Sequence, residues 1–411
     1  MTKPTDLNRK PVIVISLLTA ACLLGDSMLY IVLPVHWQDV GLASLWEVGI
    51  LLSVNRIVRL PLNPLVGWLY GKMSSRNGIL FAGILATCTT LSYAAAKGFI
   101  LWLLLRCVWG IAWTFLRLGA YFTILEVSGD SNRGYYMGMY NGLYRLGSLG
   151  GMLLGGFLAD RFGIGATSLF FGALTFLAIP FAFLLIPATN PRTQAENKPA
   201  GLLAIAANPN VTWTLLTGLC IAMIYQGAFT ATLSYLVQVH NSSTIPILGL
   251  SVGAASLAGT LQALRWSWEP WLAPWFGRMS DGKYGRRTIL IVTFVLAAIL
   301  FLLIPLKLPL WIWVLLILAI LLTATILTTV IDAIACDVAS CSAQKTFMTA
   351  YSFAIDVGAA IGPLISFTLN GIWGPYTIYW LIAGILFILS LKWLVWPISI
   401  YSKDNKYIGQ E

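Results

Sequence analysis

The chain has 411 residues, of which 58% are hydrophobic and 10% charged. A water-facing surface usually needs about 25% charged residues, which excludes a soluble globular enzyme, a disordered chain and a secreted disulfide scaffold. In so apolar a chain, a formal charge of +10 points to basic loops beside a membrane and away from nucleic acid.

Crossing a hydrocarbon core of about 30 Å takes roughly 20 apolar residues. Twelve such runs are expected, at 12–36, 43–70, 78–96, 99–125, 135–158, 165–186, 212–238, 245–276, 288–306, 310–334, 347–372 and 376–399. They are continuously apolar, so they do not spell a transmembrane barrel. The first run is too long for a cleavable signal and ends in no small-residue cleavage site. Cys22, Cys88, Cys107, Cys220, Cys336 and Cys341 are scattered, with neither disulfide nor metal spacing.

Twelve spans put both termini on one side. Of the 25 Lys and Arg residues, 15 fall on that side and 3, Lys97, Arg161 and Lys307, on the opposite loops. Basic loops stay cytoplasmic, so a bacterial inner-membrane protein with cytoplasmic termini is expected. The polar stretch 187–210 divides the spans six and six. It reads as a cytoplasmic linker between bundles 1–186 and 211–411, with Gly201–Ala207 either inert or lying along the membrane surface.

The halves echo each other. Gly67, Gly71, Lys72 and Arg76 follow span 2, and Gly277, Asp281, Arg286 and Arg287 follow span 8, an offset of 210 from Gly67 to Gly277 that Pro64 and Pro274 share. Gly147 and Gly151 in span 5 match Gly358 and Gly362 in span 11, and Glu126 matches Asp337, at an offset of 211. Such six-span repeats are typical of secondary transporters.

With these motifs the chain resembles the major facilitator superfamily over essentially its whole length, and within it the twelve-span drug:proton antiporter type. The stretch from Gly277 to Arg287 is similar to the family's G-x-x-x-D-x-x-G-R-R loop, whereas the first copy has Gly71 in place of the acid. Arg106-Cys-Val-Trp109-Gly110 resembles its R-x-x-Q-G element. Gly138, Gly147, Gly151, Gly155 and Gly156 resemble the glycine pattern of proton-coupled exporters, with Met152 where proline is usual. The resemblance implies an all-α integral membrane fold of twelve helices in two pseudo-symmetric six-helix bundles. It also implies that the two loop motifs latch the cytoplasmic side, that spans 1, 4, 7 and 10 line a cavity, and that Arg106 helps release a proton or holds the geometry of the acid.

A charge near the bilayer centre costs about 2.5–3.5 kcal/mol by insertion scales, so each one asks for a reason. The deep cations are Arg56, Arg59, Arg106, Arg117, Arg145 and Arg265; the deep acids are Asp26, Glu269, Asp332 and Asp356. Asp26 lies about 14 residues into its span, roughly 21 Å along the axis. It is either the proton site or half of a static bridge to Arg106 or Arg145. Arg106 and Arg117 share one face of span 4. Arg265 and Glu269 are spaced to bond each other, beside Trp266. Arg145 and Asp356 hold equivalent repeat places and suit either pairing or substrate contact. Arg56 and Arg59 share a face with no acid near them in span 2; either they bond backbone carbonyls or lipid head groups, or the excess of arginine favours anionic or zwitterionic solutes.

The expectation is a proton-driven exporter of a small organic, anionic or amphiphilic solute. It would work by alternating access as a monomer, with no cofactor and no metal. Import of an organic anion or siderophore-like compound is the alternative. A lipid-acting membrane enzyme or sensor is disfavoured, since no acid, base and nucleophile converge.

Overall fold

The computed structural model describes residues 6–127, 133–186, 209–241, 244–247, 250–281, 285–340 and 344–395. All but the last two residues of the expected linker lie outside this set, as does the surface piece at 201–207; Pro209 already opens a helix.

Four helices come first: α1 (Asp6–Val32), α2 (Leu45–Tyr70), α3 (Ser75–Ser92) and α4 (Phe99–Val127). The Ser74 hydroxyl caps α3 by accepting from the Asn77 amide at 3.3 Å, which satisfies one of the free amides of its first turn. The stretch Arg133–Leu185 is broken at Gly163, whose φ of 79° and ψ of 168° lie in a region open essentially to glycine alone. We name the limb before Gly163 α5 and the limb after it α6. The seventh segment, α7, runs as Pro209–Ile221, a π-helical stretch Ala222–Phe229 and Thr230–Asn241. Then follow α8 (Ala254–Asp281), α9 (Gly285–Leu303), α10 (Leu310–Ser340), α11 (Gln344–Trp373) and α12 (Thr377–Val395). Among the described residues this makes twelve helical segments.

One expected boundary is corrected. Span 8 does not begin at residue 245, because Thr244–Ile247 and Leu250–Gly253 form an antiparallel hairpin, β1 and β2, with Thr244 opposite Gly253. The run is apolar, but Thr244, Ile245, Ile247 and Val252 are β-branched and Pro246 has no amide to give a helix.

The molecule is apolar outside and partly polar inside. Trp271, Leu184 and Ile372 are exposed, whereas Arg106, Arg265, Gln262 and Asp26 are buried. Only a lipid surround makes that arrangement favourable, since hydrocarbon solvates the outer side chains and cannot solvate the inner ones. By length and composition the helices α1, α4, α7 and α9 to α12 and the joined α5–α6 stretch all suffice to cross a membrane. The arginine- and proline-bearing α2 and α8 are not among them.

Glycine sets the packing. A Cβ on Gly147, Gly151 or Gly155 of α5 would overlap Ala20, Leu24 or Met28 of α1. In the second set of six, Gly358 and Gly362 of α11 press in the same way on Leu219 and Met223 of α7. Backbones this close gain dispersion that larger residues would forbid.

The two sets of six meet along two seams, α2 with α11 and α5 with α8. Gly49 lies under the Pro363 carbonyl, and Gly259 lies under the Met152 carbonyl. Gly49 and Gly259 keep the repeat offset of 210. All four residues sit toward the membrane face opposite Asp6 and Val395, so the two sets of six touch toward that far face.

Candidate functional site

Three helices build a buried charge centre. Asp26 of α1 pairs with Arg106 of α4, both acting through Asp26 Oδ1 and Arg106 Nη1. Asn55 Nδ2 of α2 donates to the same carboxylate oxygen at 3.3 Å, and Arg106 Nε donates to the Leu51 carbonyl at 2.8 Å. Arg106 is wholly buried and Asp26 is 6% exposed. Of the two partners the sequence left open for Asp26, the structure places Arg106 beside it and gives Arg145 another.

Arg145 of α5 meets Glu269 of α8 at 3.5 Å, across the seam between the two sets of six. That corrects the expected bond between Arg265 and Glu269. Arg265 is buried and turned over the ring of Trp266, 5.4 Å from its centroid, so Glu269 is left to face α5. A second bridge crosses between the sets, from Arg117 of α4 to Asp356 of α11 at 3.4 Å. The four side chains keep between 18% and 48% of their accessible surface, least for Glu269 and most for Arg145. Mid-helix ions this accessible, inside a lipid-facing shell, are ions that water can reach.

The remaining deep arginines, Arg56, Arg59 and Arg265, have no carboxylate partner among the described residues. Arg56 Nε donates to the Tyr30 hydroxyl at 3.2 Å, and the Arg59 guanidinium lies 5.2 Å over Trp113. Trp113 meets Tyr144 edge-on, and Arg117 Nε donates to the Tyr121 hydroxyl at 3.1 Å. Arg59 Nε, Arg265 Nε, Glu269 Oε2 and the indole nitrogens of Trp113 and Trp266 are buried without a hydrogen-bond partner. Cations over aromatic faces and buried donors without partners are groups that a polar ligand could satisfy.

The loop-motif residues bond within their own set of six. Arg286 pairs with Asp337 and donates to the Ala333 carbonyl at 2.7 Å; Arg287 donates to the carbonyls of Trp393 and Leu394, closing the end of α12. In the first set, Ser75 holds the place of Arg286 and donates to Glu126 at 3.0 Å, while Lys72 lies over Trp68 and Arg76 over Phe183. Gly71 caps α2, Gly67 has free space beside it, Gly277 packs at ordinary contact distance beside Thr329, and Gly138 lies in α5. The side chain of Asp281 lies outside the described set. These bonds each lie within one set of six, and the expected latch between the halves turns on that undescribed side chain.

Sequence reasoning missed the polar clasp on the far face. Asp160, near the end of α5, accepts from the Ser256 amide at 2.7 Å and the Ser256 hydroxyl at 2.6 Å, in the first turn of α8. A carboxylate there satisfies free amides and the positive helix end together. His36 sits behind it, Nε2 at 3.4 Å from Asp160 and Nδ1 at 2.9 Å from Asp39. Only the imidazolium donates from both nitrogens, and the bond to Asp160 raises the His36 pKa above its ordinary value. The one available signal was an acid three residues before the Gly163 break.

A model of the Major Facilitator Superfamily matches residues 15–269 and 247–407. The chain belongs to that superfamily. An MFS-type transporter of Methanocaldococcus jannaschii is 26% identical over 298 residues, covering 70% of this chain and 72% of its own. The multidrug resistance protein MdtG of Dickeya zeae is 23% identical over 378 residues, covering 90% and 88%. Among solved structures, the nucleoside transporter NupG superposes with a TM-score of 0.74 at 14% identity, over 95% of this chain and 99% of its own. A bacterial homologue of the human lysosomal transporter Spinster, inward-facing and occupied, gives 0.73 at 15% identity, over 96% and 97%. The protein is therefore a multi-pass membrane transporter of the major facilitator fold.

Proposed function

We infer that this major facilitator protein is a proton-coupled antiporter that exports a small organic, anionic or amphiphilic solute. The buried Asp26–Arg106 pair at the edge of a cleft carries the reading. Arg106 holds the ionised carboxylate, and Asn55 aligns it. Protonation of Asp26 removes the charge that Arg106 neutralises, so the α1–α4 contact loosens and the buried guanidinium must find another partner. A proton thereby changes the relative stability of two arrangements, which is what coupling requires.

The positive-inside count supports a cytoplasmic side at the face bearing Asp6 and Val395, in a bacterial inner membrane, and the cleft between the two sets of six opens there. Residues 1–186 rock against 211–411 about the glycine seams. The multidrug resistance names of its relatives support export. Arg56 and Arg59, with no acid of their own, supply attraction for an anion.

Everted membrane vesicles holding the protein, offered a metabolite and drug panel with and without an imposed pH gradient, test this reading. Accumulation driven by an acidic interior is expected; uptake driven in the opposite sense would assign import. Alanine in place of Arg56 and Arg59 is expected to weaken an anion far more than its neutral analogue.

A further inference from the structure

We propose that the transported solute is a zwitterion, seated with its anionic end on the first six helices and its cationic end on the last six. The proposal deepens the carrier reading above and rests on it.

The two walls of the cleft have opposite signs. On the first six helices the deep charges are Arg56, Arg59, Arg106, Arg117 and Arg145 against Asp26 alone. On the last six they are Glu269, Asp332 and Asp356 against Arg265 alone. Both bridges across the cleft run the same way, arginine from the first set to carboxylate from the second. Asp356 also acts electrostatically on Arg56 and Arg59, so these groups share one region.

The bridges are loose, at 3.4 and 3.5 Å, and reachable by solvent. A ligand can replace them, and the account of charges then chooses the ligand. A carboxylate that takes Arg117 displaces Asp356, leaving that acid unpaired beside a second negative charge. A cation that takes Asp356 strands Arg117 in the same way. Stranding a half-buried ion is costly. A zwitterion leaves neither ion stranded, because its anionic end replaces Asp356 and its ammonium replaces Arg117.

The open atoms are placed for this exchange. Arg59 is 9% exposed with Nε unpartnered, and it lies over Trp113 on the positive wall. Glu269 uses Oε1 on Arg145 and keeps Oε2 free on the negative wall. Asp332 accepts from the Tyr351 hydroxyl at 2.6 Å through Oδ1. Trp113, Tyr121 and Trp266 lie beneath arginines of this region, with Tyr144 against Trp113, and give an apolar or aromatic body an aromatic cluster beside the charges.

The test uses the full chain in lipid nanodiscs, with tryptophan fluorescence as the binding readout. The probes are a graded series of ω-aminocarboxylates, each beside its N-acetyl derivative (anion only) and its methyl ester (cation only). For the best-fitting length the zwitterion is expected to bind about tenfold or more tightly than either derivative, the worth of one charge-assisted bond. Asp356→Asn is expected to abolish its advantage over the N-acetyl anion, and Arg59→Gln its advantage over the ester. Equal binding of zwitterion and N-acetyl anion at every length, no binding by any probe, or advantages untouched by both variants would overturn the proposal. Proton-driven transport of the metabolite and drug panel, read in everted vesicles holding the same protein, fails only if the carrier reading itself is wrong.

Discussion

The two sets of six helices share their packing and differ in their charges. Gly147 lies on Ala20 and Gly358 on Leu219; six residues on from those contacts stand Asp26 in α1 and Tyr225 in α7. Asn55 corresponds by the repeat to Arg265, and Arg106 to the buried Ile317. Where the first set holds an acid, an arginine and an amide, the second holds a phenol, an arginine and an aliphatic chain. Tyr225 bonds Thr323 at 2.9 Å and carries no charge at ordinary pH. The fold can be built twice from one glycine pattern, whereas a proton site is needed once. At the loops the bias is reversed, since Arg286–Asp337 is an ion pair and its counterpart Ser75–Glu126 is not.

The sharpest break of this comparison is Asp26→Asn. Without a titrating group the pH gradient has nothing to act on, so the accumulation ratio is expected to fall to about one, while solute exchange at equal pH persists. Tyr225→Phe, at the matching place, is expected to leave accumulation intact; pH-driven accumulation surviving in Asp26→Asn would move the proton site elsewhere. The shared packing is tested by Gly147→Val and Gly358→Val. Each forces apart a helix pair in backbone contact, and each is expected to cost about 1–3 kcal/mol in thermal unfolding of the purified protein. A loss confined to one of them would show that the halves are not held alike.

The far face gives a smaller effect. Asp160→Asn weakens the hold on the first turn of α8, by about 1–2 kcal/mol, and should lengthen spin-label distances between the far ends of α5 and α8. His36 adds a pH dependence of defined sign. Its pKa is raised by Asp160, so its contribution is complete below the ordinary histidine value and is lost as pH rises through the raised one. The far face should therefore loosen as pH rises, and the trend should flatten in Asp160→Asn. Smallest is the loop asymmetry: Arg286→Ala is expected to slow transport more than Ser75→Ala in proteoliposomes, by an amount worth under about 1 kcal/mol. Equal rates would make the ion pair incidental.

Much of this was legible in the residue string. Long apolar runs, the glycine spacing and the repeat of Gly67 and Gly277 lead to twelve helices, because a bilayer admits few other solutions. Asp26 and the arginines stood out, since a charge in such a run is costly. The string could not say that Glu269 would choose Arg145 over Arg265, because i, i+4 spacing describes one helix and the choice was made between two. Nor did it show the β-hairpin, where apolarity hid a β-branched, proline-bearing stretch.

By itself, then, the sequence determined the class, the span count and the set of costly ions, all properties of composition and spacing against a hydrocarbon solvent. Only the tertiary structure decided the partners: Arg106 for Asp26, Asp356 for Arg117, Ser256 for Asp160. Ion pairing and capping depend on distances of a few ångströms between segments 80 to 239 residues apart, and such distances exist only once the helices have packed.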